Sequence, residues 1–168
     1  MTSVAAAGVP TIDVEAALTI RKPRRDVAAV MFNPRYDTAG IGGLVAVHPV
    51  PPGPLRHGTR MKRVSRYLGC RFARRLEVVH HVPERAAELT TQKPFPLRWR
   101  YELEGIPEGT ITRIRAQGGG TGLLRLASPM LSIWLRRGMQ RDLLRLKRLL
   151  EAGAGTMLAL RARTAQDI

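Results

Sequence analysis

Hydrophobic and polar residues alternate along most of the chain as far as residue 116, and this period of two predicts β-strands with one buried face. The clearest example is Leu97–Leu103, where Trp99 and Tyr101 share a face with the two leucines and charged residues occupy the other face. Similar patterns predict strands at Ile12–Ile20, Leu44–Val47, Thr59–Leu68, Arg71–His80, Arg85–Thr91 and Thr110–Ala116. The chain is therefore predicted to form about seven strands, mostly in hairpin order.

Two segments instead carry the 3.6-residue period of an amphipathic helix. The first, Arg24–Phe32, is short and lies between Pro23 and the Asn33-Pro34 pair that ends it. The second follows an N-cap at Ser128, runs over Pro129–Glu151, and is roughly 34 Å long at 1.5 Å per residue. Its apolar stripe consists of Leu131, Leu135, Met139, Leu143, Leu146 and Leu150.

An antiparallel sheet must cover its apolar face, and the Pro129–Glu151 helix is the only predicted element large enough to do so. We therefore predict an α+β helix-grip fold: a curved antiparallel sheet of about seven strands wraps around the long C-terminal helix, and the short N-terminal helix fills one end. The single domain is expected to span residues 12–152, after a flexible leader (residues 1–11) and before a C-terminal tail (residues 153–168). A strongly curved sheet around one helix leaves unfilled space, so an apolar pocket is expected between them.

The composition is that of a globular domain, since 44% of the 168 residues are hydrophobic and 24% are charged. The lone Cys70 excludes an internal disulfide framework and cysteine-rich zinc modules. No apolar run is long enough to span a membrane, and the N-terminus lacks the basic start of a signal peptide, so a cytoplasmic protein is expected. The net charge of +15 indicates either anionic partners or a well-solvated basic surface.

Several segments, taken in order, resemble the SRPBCC superfamily, and within it the START-like polyketide cyclase/dehydrase group of helix-grip proteins. The resemblance covers Ile12 to about Glu151 and rests on order and spacing. The matching segments are Val14–Ile20 followed by Arg21-Lys-Pro-Arg-Arg-Asp-Val27, Pro-Gly-Pro-Leu55 leading to Gly-Thr-Arg60, Arg66–Phe72, Glu77–Pro83, and Leu123–Pro129 before the long helix. The resemblance implies a cavity for a hydrophobic small molecule or lipid, but not one reaction, because such proteins include carriers, cyclases and sensors.

The candidate walls of this cavity are apolar residues on one face of the predicted strands and helix. Trp99 is expected to form a flat wall, and the Tyr101 hydroxyl is placed to orient a ligand carbonyl; core packing is the competing interpretation for both. Arg63 shares a face with Met61, Ser65 and Tyr67, where a charge is acceptable only if it reaches the pocket mouth. The predicted ligand-binding residues are Phe72, Leu76, Val78, Leu89, Trp99, Tyr101 and Leu135.

Two residues are candidates for proton transfer. His80 has the parity of Leu76 and Val78, which predicts that it faces the pocket, and Tyr101 is the second candidate. His80 and His81 are adjacent on a strand and point to opposite faces, so they cannot chelate a metal together. Neither a metal nor another cofactor is expected, since no histidine or carboxylate spacing typical of such sites occurs.

Three functions remain open. The first is binding or transfer of a hydrophobic small molecule or lipid in the cavity. The second is a cyclase- or dehydratase-like enzyme, in which the pocket folds an apolar substrate. The third is an accessory protein whose basic sheet face binds a polyanion or an anionic membrane; nucleic acid is disfavoured there because no aromatic side chains interleave with the charges. That face would consist of Arg60, Lys62, Arg66, Arg71, Arg75, Arg98 and Arg100.

Overall fold

The computed structural model describes residues 11–67, 70–93, 95–119 and 128–153. Almost all of the predicted leader, and the tail from residue 154, lie outside these ranges. The strands are β1 (Ile12–Ile20), β2 (Leu44–Val50), β3 (Arg60–Tyr67), β4 (Cys70–Val82), β5 (Ala86–Thr91), β6 (Leu97–Ile106) and β7 (Gly109–Gly118). The helices are α1 (Arg24–Met31), α2 (Asp37–Gly40) and α3 (Ser128–Glu151).

The strands form one seven-stranded sheet in the order β1-β7-β6-β5-β4-β3-β2, and every neighbouring pair is antiparallel. β1 pairs with β7 from Ile12 opposite Gly118 to Ile20 opposite Thr110, so the first strand closes the sheet beside the last one. β2 lies at the other edge. The predicted α+β helix-grip architecture, with a curved sheet around a long C-terminal helix, is confirmed.

α3 covers the concave face of this sheet. Its Leu135, Met139 and Leu143 pack against residues of β1, β6 and β7, while Leu146 and Leu150 join a second cluster with α1 and the central strands. Polar contacts hold its C-terminal end in place: Lys147 Nζ donates to the carbonyl of Thr19 at 2.9 Å, and Arg21 N donates to Glu151 Oε1 at 2.8 Å. The space between sheet and helix is therefore closed at that end.

Some element boundaries differ from the predicted ones. β2 continues to Val50 through Pro49, and proline is tolerated there because β2 is an edge strand with a neighbour on one side only. After Asn33, a 3₁₀ turn at Pro34–Tyr36 leads into α2, a segment that had no assigned structure from the sequence. No helix in the described ranges combines the length and the apolar character needed to cross a membrane.

Candidate functional site

The concave face carries cross-strand rows of side chains that point toward α3. Paired residues of neighbouring antiparallel strands lie on the same face, so the registers identify each row directly. One row consists of Val78, Leu89, Trp99 and Ala116, and the next of His81, Ala87, Tyr101 and Ile114. Most of these residues are buried, while Trp99 and Tyr101 are half-buried and contact both core clusters. The two aromatic residues therefore stand where the cores meet.

A cavity lies between these rows and α3, in two adjoining compartments. The inner compartment, of about 60 Å³, extends toward α1 and is walled by apolar residues such as Val30, Leu55 and Leu146. The outer compartment, of about 120 Å³, extends toward Trp134 and Gly138 of α3. The residues that line both compartments are Ile41, Arg63, Tyr101, Ile114 and Asp142.

The predicted wall residues take three kinds of position. Leu76, Trp99, Tyr101 and Leu135 line the outer compartment. Val78 and Leu89 are fully buried in the core beside it and are absent from the lining. Phe72 lies on the same face, opposite Ser65, but is largely exposed. The predicted set is therefore brought together on one side of the sheet, and only part of it borders the cavity.

An ion pair between Arg63 of β3 and Asp37 of α2 forms the polar centre of the cavity. Nε and Nη2 of Arg63 donate to Oδ2 of Asp37 at 3.0 and 2.7 Å, and the two side chains are only 13% and 7% exposed. Burial alone lowers the pKa of Arg63, but the charge of Asp37 and the nearby Tyr101 more than reverse that effect and raise it. Burial raises the pKa of Asp37, and the guanidinium opposes this rise.

Residues 34–43, the cover segment, border both compartments. The N–H of Arg66 on β3 donates to the carbonyl of Gly43 at the end of this segment at 2.7 Å, and two further contacts join the segment to residues that line the cavity. Asp37 provides the first through its ion pair with Arg63. The second is the N–H of Gly42, which donates to Oδ1 of Asp142 on α3 at 2.9 Å. A Cβ at position 42 would meet only the guanidinium of Arg145, the flexible end of a side chain that can move aside, so glycine permits this close approach without being required by the backbone.

Asp142 is the second carboxylate of the cavity and borders both compartments. Burial raises its pKa, against the opposing effects of the Gly42 N–H and of Arg145. A partly buried carboxyl whose pKa is raised can hold a proton closer to neutral pH than an exposed aspartate can. The two compartments are thus bordered by two guanidiniums (Arg63 and Arg74), two phenols (Tyr36 and Tyr101) and two carboxyls within mostly apolar walls.

The prediction that His80 faces the pocket is wrong. A β-bulge between Val78 and His80 adds one residue to β4, which reverses the alternation beyond it. His80 is therefore exposed and pairs with Glu88 on the outer face, whereas His81 turns inward and contacts the Phe32 ring edge-on, with centroids 5.8 Å apart. Burial lowers the pKa of His81, which favours its neutral form.

Sequence reasoning did not identify Asp37 or Asp142 as cavity residues. Arg63 did leave a signal, because it is the one charge among Met61 and Ser65 on a buried face of β3. The Arg63 side chain was expected to reach the pocket mouth. It instead stays inside and pairs with Asp37, 26 residues earlier in the chain. A single charged residue on a strand face whose other residues are buried was thus the only sign in the sequence of a buried partner.

The outer face of the sheet divides into two parts. Toward β1 and β7 the arginines have carboxylate partners, as in Arg115–Asp13 at 2.7 Å and Arg113–Glu104 at 2.8 Å. The predicted basic face divides likewise, because Arg60, Arg98 and Arg100 also have such partners. Its other members lie opposite one another on β3 and β4, Lys62 with Arg75 and Arg66 with Arg71. Among the described residues, no carboxylate lies within ion-pair distance of these four side chains.

Within the part of the chain that the structure describes, no group of three or more histidine, cysteine or acidic side chains is arranged to hold a metal ion. Comparison with known proteins finds no matching family model and no matching curated protein. Solved structures, in contrast, match over most of the chain.

One similar structure is the di-domain ARO/CYC protein StfQ from the steffimycin biosynthetic pathway, with a TM-score of 0.71 and 14% identity over 86% of this chain and 52% of StfQ. The chain thus spans about half the length of StfQ. Another is NE0264 from Nitrosomonas europaea, with a TM-score of 0.68 and 16% identity over 84% of this chain and 96% of that protein.

A third similar structure is Ara h 8.0201, with a TM-score of 0.65 and 13% identity over 84% of this chain and 98% of that protein. The fold shared with these structures is the helix-grip fold. At these identities the likeness establishes the helix-grip fold alone, and it confirms at that level the resemblance drawn from the sequence. What the helix-grip chain described here does must be argued from its own cavity.

Proposed function

We propose that this chain binds a small hydrophobic or lipid-like molecule between the sheet and α3, with the apolar part of the ligand against Trp99 and Leu135. The observation that carries the proposal is the cavity with apolar walls and a buried ion pair at its centre. Ligand sites commonly combine an apolar lining with a few polar groups that fix orientation.

The Arg63–Asp37 pair supports a ligand with a polar end. Taking two charges out of water costs several kcal/mol per ion, and an apolar pair of similar volume is often as stable or more so. A buried pair is therefore weak evidence of a stabilising role, whereas a guanidinium beside Tyr101 is well suited to orient a carbonyl or carboxylate. Asp37 engages Nε and Nη2 of Arg63, which leaves part of the five-donor fork for a ligand.

The size of the cavity limits the ligand. Sites for drug-sized molecules usually have volumes of about 300–1,000 Å³. The compartments here, about 60 and 120 Å³, are smaller, so a larger ligand requires the cover segment to move away from α3. Such movement would break the Gly42–Asp142 hydrogen bond, and separation from β3 would also break the Arg63–Asp37 pair.

Gly138 allows the cavity to be filled without disturbing the backbone. It lines the outer compartment, and a Cβ at this position would meet no atom within 4 Å. Gly138→Leu should abolish binding of an apolar fluorescent probe and remove any molecule that native mass spectrometry finds with the detergent-free protein. Gln140→Leu, on an exposed face of the same helix, is the matched control. Undiminished probe binding by folded Gly138→Leu protein would refute the cavity proposal.

A second candidate is a reaction on the bound molecule, and the position of Asp142 favours it. A carboxyl with a raised pKa that borders both compartments is suited to proton transfer, with Tyr101 as a second donor. Asp142→Asn keeps an acceptor for the Gly42 N–H but removes the acid. If the chain is an enzyme, this variant retains a molecule of different mass from the one retained by the unaltered protein; identical masses favour a carrier.

The basic outer face supports a third candidate, now confined to β3 and β4. Like charges directly opposite each other destabilise a sheet, so the Arg66–Arg71 and Lys62–Arg75 pairs are better explained by an anionic partner than by stability. Retention on heparin should fall steeply as salt rises and should be lost on Arg66→Glu/Arg71→Glu. Arg113→Glu, in the compensated part of the face, should change retention much less.

A further inference from the structure

Exposed apolar side chains lie on α3 and β4, two of the elements that border the outer compartment. On the helix side, Trp134 borders the compartment, and Met130 and Ile133 lie within one turn of it; on the sheet side, Phe72 lies two residues from Arg74, which also borders it. These four apolar side chains, the mouth rim, are 48%, 78%, 55% and 53% exposed for Trp134, Met130, Ile133 and Phe72. Exposed apolar side chains grouped in this way commonly mark an interaction surface.

Positive charge accompanies the mouth rim on both sides. Arg66 and Arg71 oppose each other at the end of the β3–β4 hairpin; Arg71 is one residue from Phe72 along the chain, but the pair lies on the outer face of the sheet. Arg136 and Arg137 follow Trp134 on α3. Among the described residues, no carboxylate lies within ion-pair distance of these four arginines. The rim is thus apolar at its centre, and the arginines at its edges carry positive charges that no described carboxylate neutralises.

We propose that the mouth rim docks on an anionic phospholipid bilayer. Apolar side chains inserted at the boundary between headgroups and acyl chains, with arginines among anionic headgroups, are the usual pattern of peripheral membrane contact. Phe72 and Trp134 alone would also suit stacked bases, but Ile133 and Met130, the most exposed side chain of the rim, have no π-face and fit acyl chains better. The docked mouth leads a ligand from the bilayer into the cavity without crossing water; this last step alone rests on the proposed function.

Flotation of the full chain with vesicles tests the docking. Binding is expected to phosphatidylcholine vesicles containing phosphatidylglycerol, to weaken with salt, and to be much weaker with pure phosphatidylcholine. Arg66→Ala and Arg71→Ala should each reduce the affinity about fivefold, the usual contribution of one basic residue near such a surface. Arg98→Ala, which removes a cation already paired with Glu88, is the matched control and should have a smaller effect.

Apolar substitutions test the rim itself. Phe72→Ser and Trp134→Ser should each weaken vesicle binding, whereas Val50→Ser, an exposed valine at the opposite end of the β2–β3 pair, should not. Equal binding by rim and control variants, equal binding to both kinds of vesicle, or preferential retention of single-stranded RNA would overturn the proposal. Gly138→Leu separates the two proposals, because it should still float with vesicles while failing to bind the cavity probe. If the unaltered chain binds the probe but does not float with vesicles, the docking proposal fails and the ligand-binding proposal stands.

Discussion

The two halves of α3 meet the sheet differently. Beyond Asp142, three leucines pack against α1 and the central strands: Leu146, Leu149 and Leu150. Lys147 and Glu151 also form hydrogen bonds with the end of β1 and the residue after it. Before Asp142 the helix borders an open compartment, and Met130 and Trp134 are exposed. The apolar period is the same in both halves. One half of the helix thus mainly supplies stability, whereas the other, although Leu135 and Met139 are buried, leaves room for a ligand.

The largest effect on the free energy of unfolding is expected at the buried Arg63–Asp37 ion pair, which lies near the point where the two halves of α3 meet. Asp37→Ala leaves the buried Arg63 guanidinium without its ion-pair partner and should lower the free energy of unfolding by about 3–5 kcal/mol, measured by urea denaturation. Adding Arg63→Met should recover most of the loss, because the unpaired charge is removed. If the single variant is as stable as the unaltered chain, the pair is not buried as described.

The closed half should respond strongly to a cavity. Leu150→Ala removes a buried side chain from the cluster around α1, and the expected loss in the free energy of unfolding is about 2–5 kcal/mol. Leu144→Ala, at an exposed position of the same helix, is the control and should change stability by less than about 1 kcal/mol. Equal losses from the two substitutions would contradict the asymmetry.

A smaller, pH-dependent effect is expected at the end of the closed half. The N–H of Arg21, with the charges of Lys147 and Arg21, lowers the pKa of Glu151 in the folded chain. Because the folded pKa lies below the unfolded one, ionised Glu151 contributes stability at neutral pH, and that contribution is lost as pH falls through the folded value. Glu151→Gln should therefore be less stable than the unaltered chain at pH 7 and equally stable in strong acid.

The matched control for this pH series is Glu108→Gln, because Glu108 is exposed next to the β6–β7 turn. Thermal unfolding across the pH range should show no comparable change in the difference between this variant and the unaltered chain. A gap for Glu151→Gln that stays constant down to acid pH would mean that the ionised carboxylate is not the group responsible.

The smallest effect on stability is expected in the open half. Trp134→Ala removes a large side chain that is about half exposed, and the free energy of unfolding should change by less than about 1 kcal/mol. The same variant should bind anionic vesicles more weakly. Leu150→Ala should weaken vesicle binding only to the extent that it unfolds the chain. A loss of stability as large as that of Leu150→Ala would show that both halves of α3 are packed equally.

The sequence predicted most of the fold because the period of its apolar residues is local information. Leu97–Leu103 alternates without interruption, and β6 includes it; the leucine stripe likewise predicted α3 to within one residue of its observed start. The same reasoning failed at His80, because a single bulged residue in β4 reverses parity and nothing near it in the sequence marks the bulge.

The sequence predicted that a space lies between the sheet and the long helix, but it predicted only part of what lines that space. Its wall residues Trp99 and Leu135 followed from parity and helical spacing, but the polar centre did not. Arg63, Asp37 and Asp142 come from a strand, a short helix and the final helix, and no local pattern relates them. The contacts that place them together form only when the cover segment lies between the sheet and α3.

The sequence by itself determined the number and kind of elements, the faces they bury and the basic excess, since each depends on neighbours a few residues apart. Tertiary structure alone decided which arginines have counter-charges, which side of β4 each histidine faces, and where sheet and helix leave a gap. Those outcomes depend on distances between segments that are 100 or more residues apart, as for Gly42 and Asp142, and burial and charge pairing act through space rather than along the chain.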